Sequence, residues 1–495
     1  MTLAERAFRS GMVVTASSLA MRLANLGALV VLARVLVPQD FGAVSLALVV
    51  VTTSTLFSSS GMDGAIIASR YPTHRAAHHA GVLNLGLAVI LFSLAFFGAE
   101  ALAGLLGASD LGPVFRLMSL IILFETLTVV PNALLSKELQ FGRQSAAQLG
   151  AIIVQFGLAI VLALAGMGVW SLAIGHVVGA ALRCLSISVL APRVGWVRPQ
   201  PWDGALAREL LRFGATTMTT GFIRHLYTNA DKVIIGRLFG TSGVGFYSQS
   251  YNITNIPVQS VSQVTNGVLL PVYTRVRDDP ERLANGYSSA FRLVAFLTLP
   301  MSVGLFLLAP QVVITLLGDQ WRPSVVILQI LAGTALFRPL SGTTFPLFLA
   351  IRRPGLNLAT AIVQAVSMAP LLFLLHPLGV EGIAAAVSAT FGIGFIFNMW
   401  QVVQRTSVPI SLRRLGRQLL PILAATGVMA GCVAGAKAGV TALGADLESP
   451  LALLFLVTTG VVAFLAAAQL FDRSLIADVL RLARSKGRTQ EVQES

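Results

Sequence analysis

Charged residues are scarce in this chain of 495 residues. Asp, Glu, Lys and Arg make up 11% of it, whereas soluble globular proteins carry about 25%. Hydrophobic residues make up 55%, and the mean hydropathy is +0.79. This balance excludes a soluble globular protein and predicts an all-α polytopic membrane protein. The first apolar run is longer than a signal-peptide core and has no A-x-A-like cleavage site after it, so we expect it to be retained.

Cysteine is almost absent, and so are the motifs of nucleotide and metal chemistry. Cys184 and Cys432 lie in separate apolar spans, which is typical of inert core residues rather than of a disulfide or redox pair. No G-x-x-x-x-G-K-[ST] loop, H-E-x-x-H motif or Cys/His cluster occurs. No large outer loop carries the carboxylates that a membrane glycosyltransferase would need. The sequence therefore predicts no enzyme, no cofactor and no metal site.

Acidic residues are outnumbered, with 21 Asp and Glu against 35 Lys and Arg, which gives a net charge of +14. No aromatic-basic platform or helix-turn-helix occurs, so we expect no nucleic-acid partner. Roughly 24 basic residues fall in alternate loops and both tails, against Arg322 and Lys437 in the other loops. By the positive-inside rule, both termini are expected to be cytoplasmic.

Apolar runs of about 20 residues, the length that spans a bilayer, recur along the chain. They predict about fourteen transmembrane helices, at 11–36, 41–66, 78–106, 114–136, 145–166, 169–191, 209–239, 244–272, 284–309, 323–350, 356–376, 380–404, 416–437 and 450–471. The proline- and tryptophan-rich stretch around 192–208 divides them. We therefore expect an N-terminal six-helix lobe at 1–200, a C-terminal six-helix lobe at 201–406, two additional helices at 407–472 and a polar cytoplasmic tail at 473–495.

The two predicted lobes carry copies of the same motifs. Residues 32–45 read LARVLVPQDFGAVS and residues 235–248 read IGRLFGTSGVGFYS, which aligns Gly42 with Gly245. A second match pairs the IVQ that ends at Gln155 with the IVQ that ends at Gln364. The spacing of about 203 to 211 residues covers six helices, so both copies enter the membrane in the same sense. This predicts a parallel repeat about an axis along the bilayer normal.

The first of the two additional helices carries a stripe of glycines, Gly427, Gly431, Gly435 and Gly439. Stripes of small residues at this spacing allow two helices to approach closely. We expect the stripe to pack within the monomer rather than at a dimer seam.

Ionisable residues inside apolar spans are costly in a bilayer and mark candidate functional sites. Arg22 and Asn25 share one face of the first helix, and Arg224 occupies a comparable position in the seventh. Paired arginines suit a phosphate or pyrophosphate, because guanidinium forks bind such oxygens in a bidentate manner. The alternative is an Arg–Glu pair or a carbonyl contact that only holds helices together.

Four further charged residues are candidates for gating, coupling or substrate contact. Asp231 and Lys232 are adjacent, and Asp231 either neutralises Arg224 or binds a coupling cation such as H+ or Na+, with a structural ion pair as an equal alternative. Glu125 and Arg338 match in the two lobes and would form either a closing salt bridge or a substrate clamp. Charged residues nearer the interfaces are expected to snorkel, namely Asp63, Arg116, Arg183 and Arg292.

Amide and hydroxyl side chains form a stripe along the eighth span. Its members are Ser248, Asn252, Asn255, Gln259, Ser262 and Asn266, with Tyr247 and Tyr251 beside them. Such a surface suits sugar hydroxyls in a wet cavity. The alternative is interhelical hydrogen bonding, worth about 0.6 kcal/mol per contact. Six such groups exceed what packing needs, so we interpret Asn252, Asn255 and Gln259 as substrate contacts.

Three stretches carry a family resemblance, namely NADKVIIGRLFGTSGVGFYSQSYNI from Asn229, VPNALLSKELQFGRQSAAQ from Val130 and LAGMGVWSLAIG from Leu164. They resemble the bacterial polysaccharide exporters, oligosaccharide flippases of the multidrug/oligosaccharidyl-lipid/polysaccharide exporter superfamily. The resemblance covers about residues 5 to 470. It implies a carrier that moves an undecaprenyl-pyrophosphate-linked oligosaccharide across the bacterial inner membrane by alternating access. It also implies that Arg22 and Arg224 contact the pyrophosphate.

The same resemblance defines the expected substrate and partners. The substrate would be a repeat unit of exopolysaccharide, O-antigen or lipopolysaccharide. Alternatives are a cation-coupled small-molecule efflux pump of the same superfamily, a peptidoglycan lipid-precursor flippase, and a non-transporting scaffold or polymerase subunit. Expected partners are the lipid-linked oligosaccharide, membrane lipids, a coupling cation and a glycan polymerase or export complex.

The arginine hypothesis makes a direct prediction. Either Arg22→Ala or Arg224→Ala should remove glycan export and leave folding intact, because each would delete a guanidinium that holds phosphate oxygens. Export is measured in a deletion strain that carries each variant. Full rescue by both variants would contradict the hypothesis.

Overall fold

The helices follow the apolar runs of the sequence. The computed structural model describes residues 3–59, 62–68, 71–192, 198 and 200–471, with all side chains in these ranges except those of 3–12, 15, 58, 59, 68, 213–224, 226, 227 and 263–268. These residues form α-helices and short 3-10 helices joined by short connections, with no β-strand among them. It divides into two compact units, numbered 1–248 and 249–495. The boundary lies inside one long helical segment, so the predicted lobe limits at 200 and 406 stay a prediction.

The first unit begins with eight helices in chain order. They are α1 (Leu3–Val35), α2 (Pro38–Ser59), α3 (Met62–Ala68), α4 (Thr73–Phe97), α5 (Ala99–Leu105), α6 (Gly112–Lys137), α7 (Phe141–Leu164) and α8 (Val169–Leu190). A 3-10 turn at Ser109–Leu111 precedes α6. α7 packs against α1 and α8, and α6 packs against α4 and α8. The core of this unit includes Met118, Ile122 and Leu134, which are all buried on α6.

The helical segment α9 (Gly204–Arg275) consists of two helices joined at Gly240, where φ is 71° and ψ is −175°. Glycine adopts a positive φ without steric cost, and no other residue does so as readily. A continuous helix would place Asp231 and Tyr247 about 24 Å apart, at 1.5 Å per residue. The Tyr247 hydroxyl nevertheless donates a hydrogen bond to the Asp231 carboxylate, so the chain reverses at Gly240. The predicted break between the spans 209–239 and 244–272 is therefore confirmed.

The second unit contains eight further helices after α9. They are α10 (Pro280–Leu307), α11 (Ala309–Leu317), α12 (Ser324–Gly342), α13 (Thr344–Ala350), α14 (Gly355–Leu375), α15 (Gly379–Arg405), α16 (Leu412–Ala442) and α17 (Pro450–Phe471). Short 3-10 turns lie at Asp319–Trp321 and His376–Leu378. Its core runs from Tyr273 and Tyr287 through Phe348 to Leu456, all fully buried.

Within the described residues, eleven segments are long and apolar enough to cross a membrane. One of them, Gly355–Arg405, contains both α14 and α15, and neither arm of the more polar α9 is included. Large apolar side chains lie on the outer surface, including Phe97, Phe373 and Leu451. Lipid tails solvate such residues as well as a protein core does. The chain is an all-helical, multi-pass membrane protein, while the count of fourteen spans stays a prediction.

Helix packing inside the second unit follows the same order as inside the first. The pairs α7–α8, α6–α8 and α4–α6 in the first unit correspond to α14–α15, α12–α15 and α10–α12 in the second. The repeated glutamines, Gln155 and Gln364, each pack against a glycine of the neighbouring helix. A Cβ atom added at Gly179 on α8 would lie 2.7 Å from the Gln155 side chain, and one at Gly394 on α15 would lie 2.2 Å from that of Gln364. An internal repeat predicts such parallel packing.

The aligned glycines of the repeated motif meet each other inside the first unit. A Cβ atom added at Gly42 would lie 1.7 Å from the Thr241 carbonyl oxygen, and one at Gly245 would lie 2.0 Å from that of Pro38. In the motif alignment Thr241 is the counterpart of Pro38, as Gly245 is of Gly42. Each copy therefore places its glycine against the same carbonyl of the other copy, which is the reciprocal pattern of a two-fold contact.

The glycine stripe on α16 does not pack within the monomer, so that prediction is wrong. Among the described residues, nothing lies within 4 Å of a Cβ atom added at any of its four glycines, Gly427, Gly431, Gly435 and Gly439. The opposite face of α16 carries the larger buried side chains, such as Ile422, Met429 and Val433. These bury more apolar surface than glycine can, so they face α10 and α17 and leave the glycines outside.

Candidate functional site

Arg338 forms a polar cluster with the first turns of the amide stripe. One of its nitrogens, Nη1, donates to the Tyr251 hydroxyl at 3.0 Å and to Asn255 Oδ1 at 2.8 Å. The guanidinium lies 5.8 Å from the centre of the Tyr251 ring and 5.1 Å from that of Phe391. Two residues predicted to contact substrate, Arg338 and Asn255, therefore touch in the structure. We call Arg338, Tyr251, Asn255 and Phe391 the Arg338 cluster.

The Arg338 guanidinium is held by neutral groups. Among the described residues no carboxylate lies within 4.0 Å of it. Aromatic faces stabilise a cation without neutralising it. Within the same part of the chain its hydrogen bonds use Nη1 alone, which leaves Nε and Nη2 with donors for a ligand. The arrangement suits a bound anion, because an arginine fork binds phosphate or carboxylate oxygens in pairs.

The other described members of the amide stripe differ in exposure, and Ser248 is buried. Asn252 and Gln259 are exposed, and Asn252 Nδ2 lies 3.4 Å from Gln249 Oε1. Asn255 is half-buried against Arg338. The side chain of Asn266 lies outside the described residues. The stripe thus offers accessible amides next to a cation, which agrees with the interpretation as a sugar-binding surface without testing it.

The predicted arginine pair is only partly described. Arg22 is half-buried on α1. Asn25 is exposed, and its side-chain nitrogen donates to the Met21 carbonyl of its own helix at 2.7 Å. The side chain of Arg224 lies outside the described residues. The phosphate-binding role of these residues stays a prediction.

Asp231 is buried against Tyr247. Its carboxylate is 2% exposed and accepts hydrogen bonds from the Tyr247 hydroxyl and, at 2.8 Å, from the Lys232 backbone N–H. The Lys232 side chain is half-buried. A buried carboxylate needs such donors, because an unsatisfied one is very costly. Tyr247 is the partner that the sequence did not reveal, since it lies sixteen positions along the chain and beyond the reversal at Gly240.

Nearly two helical turns before Asp231 lies a second polar group, centred on His225. The hydroxyl of Thr53 on α2 lies 2.9 Å from His225 Nε2. Asn229 Nδ2 lies 3.2 Å from His225 Nδ1 and 3.2 Å from the His225 carbonyl oxygen. These contacts connect α2 to the first arm of α9.

Tyr247→Phe should lower the stability of the protein by about 1–3 kcal/mol, because it leaves a buried carboxylate short of one donor. The thermal midpoint of the detergent-solubilised protein measures the loss. Tyr273→Phe is the matched control, since Tyr273 is equally buried and its hydroxyl has no hydrogen-bond partner among the described residues. Equal thermal midpoints for the two variants would show that the hydrogen bond from Tyr247 to Asp231 does not stabilise the protein.

Glu125 pairs with Arg183 on the neighbouring helix α8. Arg183 Nη1 donates to both carboxylate oxygens at 2.7 Å, and about 30% of each side chain is exposed. Arg183 is therefore an ion-pair partner rather than a snorkelling residue. Arg116, also predicted to snorkel, pairs with Glu100 at 2.7 Å. The gating role of Glu125 stays a prediction.

Sequence reasoning missed three contributors to these contacts. Phe391 stands in an apolar run of α15, where nothing distinguishes it from a core residue. Gln249 is 5% exposed and lies just outside the amide stripe. Tyr247 was noted only as a neighbour of that stripe. The single available signal was chemical: a lone intramembrane carboxylate such as Asp231 requires a donor nearby.

A family model described as polysaccharide biosynthesis protein matches residues 31–326, more than half of the chain. The chain belongs to the polysaccharide biosynthesis protein family. This membership confirms the predicted resemblance, and it confirms that the chain is a member of a transporter family rather than an enzyme.

Two relatives are similar to this family member over more than two thirds of its length. The succinoglycan biosynthesis transport protein ExoT of Rhizobium meliloti (strain 1021) is 30% identical over 348 residues, which cover 68% of each chain. The lipopolysaccharide biosynthesis protein WzxC of Escherichia coli (strain K12) is 25% identical over 374 residues, or 73% of this chain and 72% of the relative. Both names concern polysaccharide biosynthesis.

Solved structures share the fold of this family member at lower identity. The lipid II flippase MurJ, in an inward closed conformation, has a TM-score of 0.76 at 15% identity and covers 94% of this chain and 100% of its own. An inward-facing multidrug resistance MATE transporter of the MOP superfamily has a TM-score of 0.64 at 19% identity, over 78% of this chain and 96% of its own. At these identities the likeness shows the fold alone.

Proposed function

We propose that this protein flips an undecaprenyl-pyrophosphate-linked oligosaccharide across the bacterial inner membrane by alternating access. The cargo is a repeat unit of an exopolysaccharide, O-antigen or lipopolysaccharide. The observation that carries the proposal is the Arg338 cluster, in which an uncompensated guanidinium stands beside Asn255. The names of the two relatives, a succinoglycan transport protein and a lipopolysaccharide biosynthesis protein, support the same class of cargo.

The chemistry of the cluster fits the two ends of such a cargo. A pyrophosphate carries negative oxygens that a guanidinium binds in pairs. Sugars present hydroxyls, which amides and phenols bind as donor and acceptor together. In the proposed mechanism Arg338 contacts the pyrophosphate, and Asn252, Asn255 and Gln259 contact the first sugars. Arg22 and Arg224 supply further positive charge in this proposal.

A cation-coupled efflux pump is the main alternative, and the described acids do not favour it. Such a pump would need a free carboxylate for a cationic drug. Within the described residues Asp231 is buried against Tyr247, and Glu125 is paired with Arg183 at 2.7 Å. Both acids are therefore already satisfied. The similarity to MATE transporters concerns the fold and does not decide between the two cargoes.

The function is tested by deleting the gene and following lipid-linked intermediates in membranes of the deletion strain. We expect undecaprenyl-pyrophosphate oligosaccharide to accumulate on the cytoplasmic side and surface glycan to disappear. Expression of the wild-type chain should reverse both effects. Normal glycan export in the deletion strain, together with hypersensitivity to cationic drugs, would instead support the efflux pump.

A further inference from the structure

A basic cavity lies between α10 and the start of α16, separate from the Arg338 cluster. Its volume is about 740 Å³. α10 contributes Glu281, Asn285 and Arg292, and α16 contributes Arg413, Arg414 and Arg417. The cavity thus contains four arginines and one glutamate. Positive-inside counting places this end of both helices at the cytoplasmic surface.

The arginines of α16 are held together without acidic partners. Arg414 Nη1 donates to Asn285 Oδ1 at 3.1 Å, which connects α16 to α10 through a neutral group. Among the described residues no carboxylate lies within 4.0 Å of Arg413, Arg414 or Arg417. Like charges that line one cavity repel one another. A bound anion would relieve that repulsion.

The helix itself increases the positive potential. α16 begins at Leu412, with the Ser411 side chain accepting a hydrogen bond from the Arg414 backbone N–H at 3.4 Å. The amino end of a helix carries a partial positive charge, so cations there are disfavoured and anions are favoured. Arg413 and Arg414 lie in that first turn, where the helix dipole opposes them. An anion shared by these arginines would offset that opposition.

Apolar surface next to the cavity indicates that the anion belongs to a lipid. Leu420 and Leu423 follow on α16 within two turns of Arg417, and their side chains are 62% and 48% exposed. Pro409 and Pro421 line the cavity itself. A soluble phosphate would gain nothing from this surface, whereas acyl chains attached to a headgroup would cover it. Basic pockets between transmembrane helices at the cytoplasmic side suit anionic headgroups.

We propose that the cavity between α10 and α16 binds the phosphate headgroup of an anionic phospholipid of the cytoplasmic leaflet. The headgroup oxygens contact Arg413, Arg414 and Arg417, and the acyl chains lie along the exposed leucines of α16. The site is distinct from the proposed cargo site. It makes the protein's stability dependent on the lipid composition of the membrane.

The test compares lipid binding by purified full-length protein. Short-chain phosphatidylglycerol and phosphatidylcholine are titrated separately into detergent-solubilised protein, and native mass spectrometry with thermal unfolding reports binding. We expect phosphatidylglycerol to bind and to raise the thermal midpoint. Phosphatidylcholine should bind with an affinity lower by about tenfold or more. The double variant Arg413→Gln/Arg417→Gln should lose at least about tenfold in affinity for phosphatidylglycerol.

A matched control removes the same charge elsewhere. Arg208→Gln/Arg212→Gln takes two exposed arginines from the start of α9 and should bind phosphatidylglycerol like the wild type. Equal loss in both double variants would reduce the effect to overall charge and overturn the proposal. So would displacement of phosphatidylglycerol by an equal concentration of inorganic phosphate, which would indicate a soluble-anion site. If the double variant does not purify as a monodisperse protein, Arg417→Gln alone should still weaken binding about threefold.

Discussion

Replacement of Arg338 by alanine is expected to lower glycan export about 100-fold and to leave the protein folded. The guanidinium is the one cation of the described Arg338 cluster, and in the proposed function it holds the pyrophosphate. Charge-assisted hydrogen bonds contribute about 1.5–3 kcal/mol each. A 100-fold loss corresponds to about 2.7 kcal/mol, or roughly one such bond. Export is measured as surface glycan in a deletion strain, with membrane levels of the variant measured alongside.

Two further variants separate charge from geometry. Arg338→Lys keeps the positive charge but loses the planar fork that binds phosphate oxygens in pairs, so export should fall about tenfold. Arg322→Ala is the matched control, because Arg322 precedes the same helix and is exposed, with its Nη2 2.6 Å from Asp319 Oδ1. It should export like the wild type. Export by Arg338→Ala at the wild-type rate would remove this residue from the mechanism.

Stability measurements decide whether Arg338 is only structural. Its contacts are to a phenol, an amide and two aromatic rings, and neutral hydrogen bonds of this kind are worth about 1 kcal/mol. A structural role would therefore lower the thermal midpoint and export together. A cargo-binding role would lower export alone. The accumulation of lipid-linked intermediate in the Arg338→Ala strain distinguishes failed flipping from failed synthesis.

The sequence predicted the helices well because their determinants are local. Apolar runs of span length mark them, and Gly240 breaks α9 between the two predicted spans. The motif alignment of Gly42 with Gly245 also has a physical counterpart, because both positions tolerate no side chain. The alignment does not predict that these two glycines lie against each other. That contact depends on tertiary structure.

The candidate site was predictable in composition and less so in pairing. Arg338 and Asn255 were both selected as substrate contacts, and they lie 2.8 Å apart. Residue chemistry selects such groups, but the partner of each depends on which helices are neighbours. Glu125 finds Arg183, 58 positions along the chain, because α6 packs against α8. The prediction that the glycine stripe of α16 packs within the monomer was wrong for the same reason. The spacing of residues identifies one face of a helix, but it does not identify which helix packs against that face.

Substitution of Gly42 by alanine is expected to cost about 3 kcal/mol or more and to remove most folded protein from the membrane. The added Cβ would lie 1.7 Å from the Thr241 carbonyl oxygen and 2.9 Å from the Gly245 backbone nitrogen. Both are backbone atoms, which cannot rotate aside as a flexible side chain can. The amount of monodisperse protein and its thermal midpoint measure the effect. Gly245→Ala should behave alike, because its Cβ would lie 2.0 Å from the Pro38 carbonyl oxygen.

Glycines on α16 provide the control for backbone effects. Gly427→Ala and Gly431→Ala meet nothing within 4 Å, so each should be neutral or stabilising, since alanine favours helix by about 1 kcal/mol over glycine. The double variant Gly42→Ala/Gly245→Ala then tests whether the two contacts form one seam. If the first alanine already forces the seam apart, the second costs less, and the double variant loses less stability than the sum of the single ones. Strict additivity would mean that the two glycines act independently, and a wild-type midpoint for Gly42→Ala would mean that the motif copies do not approach this closely.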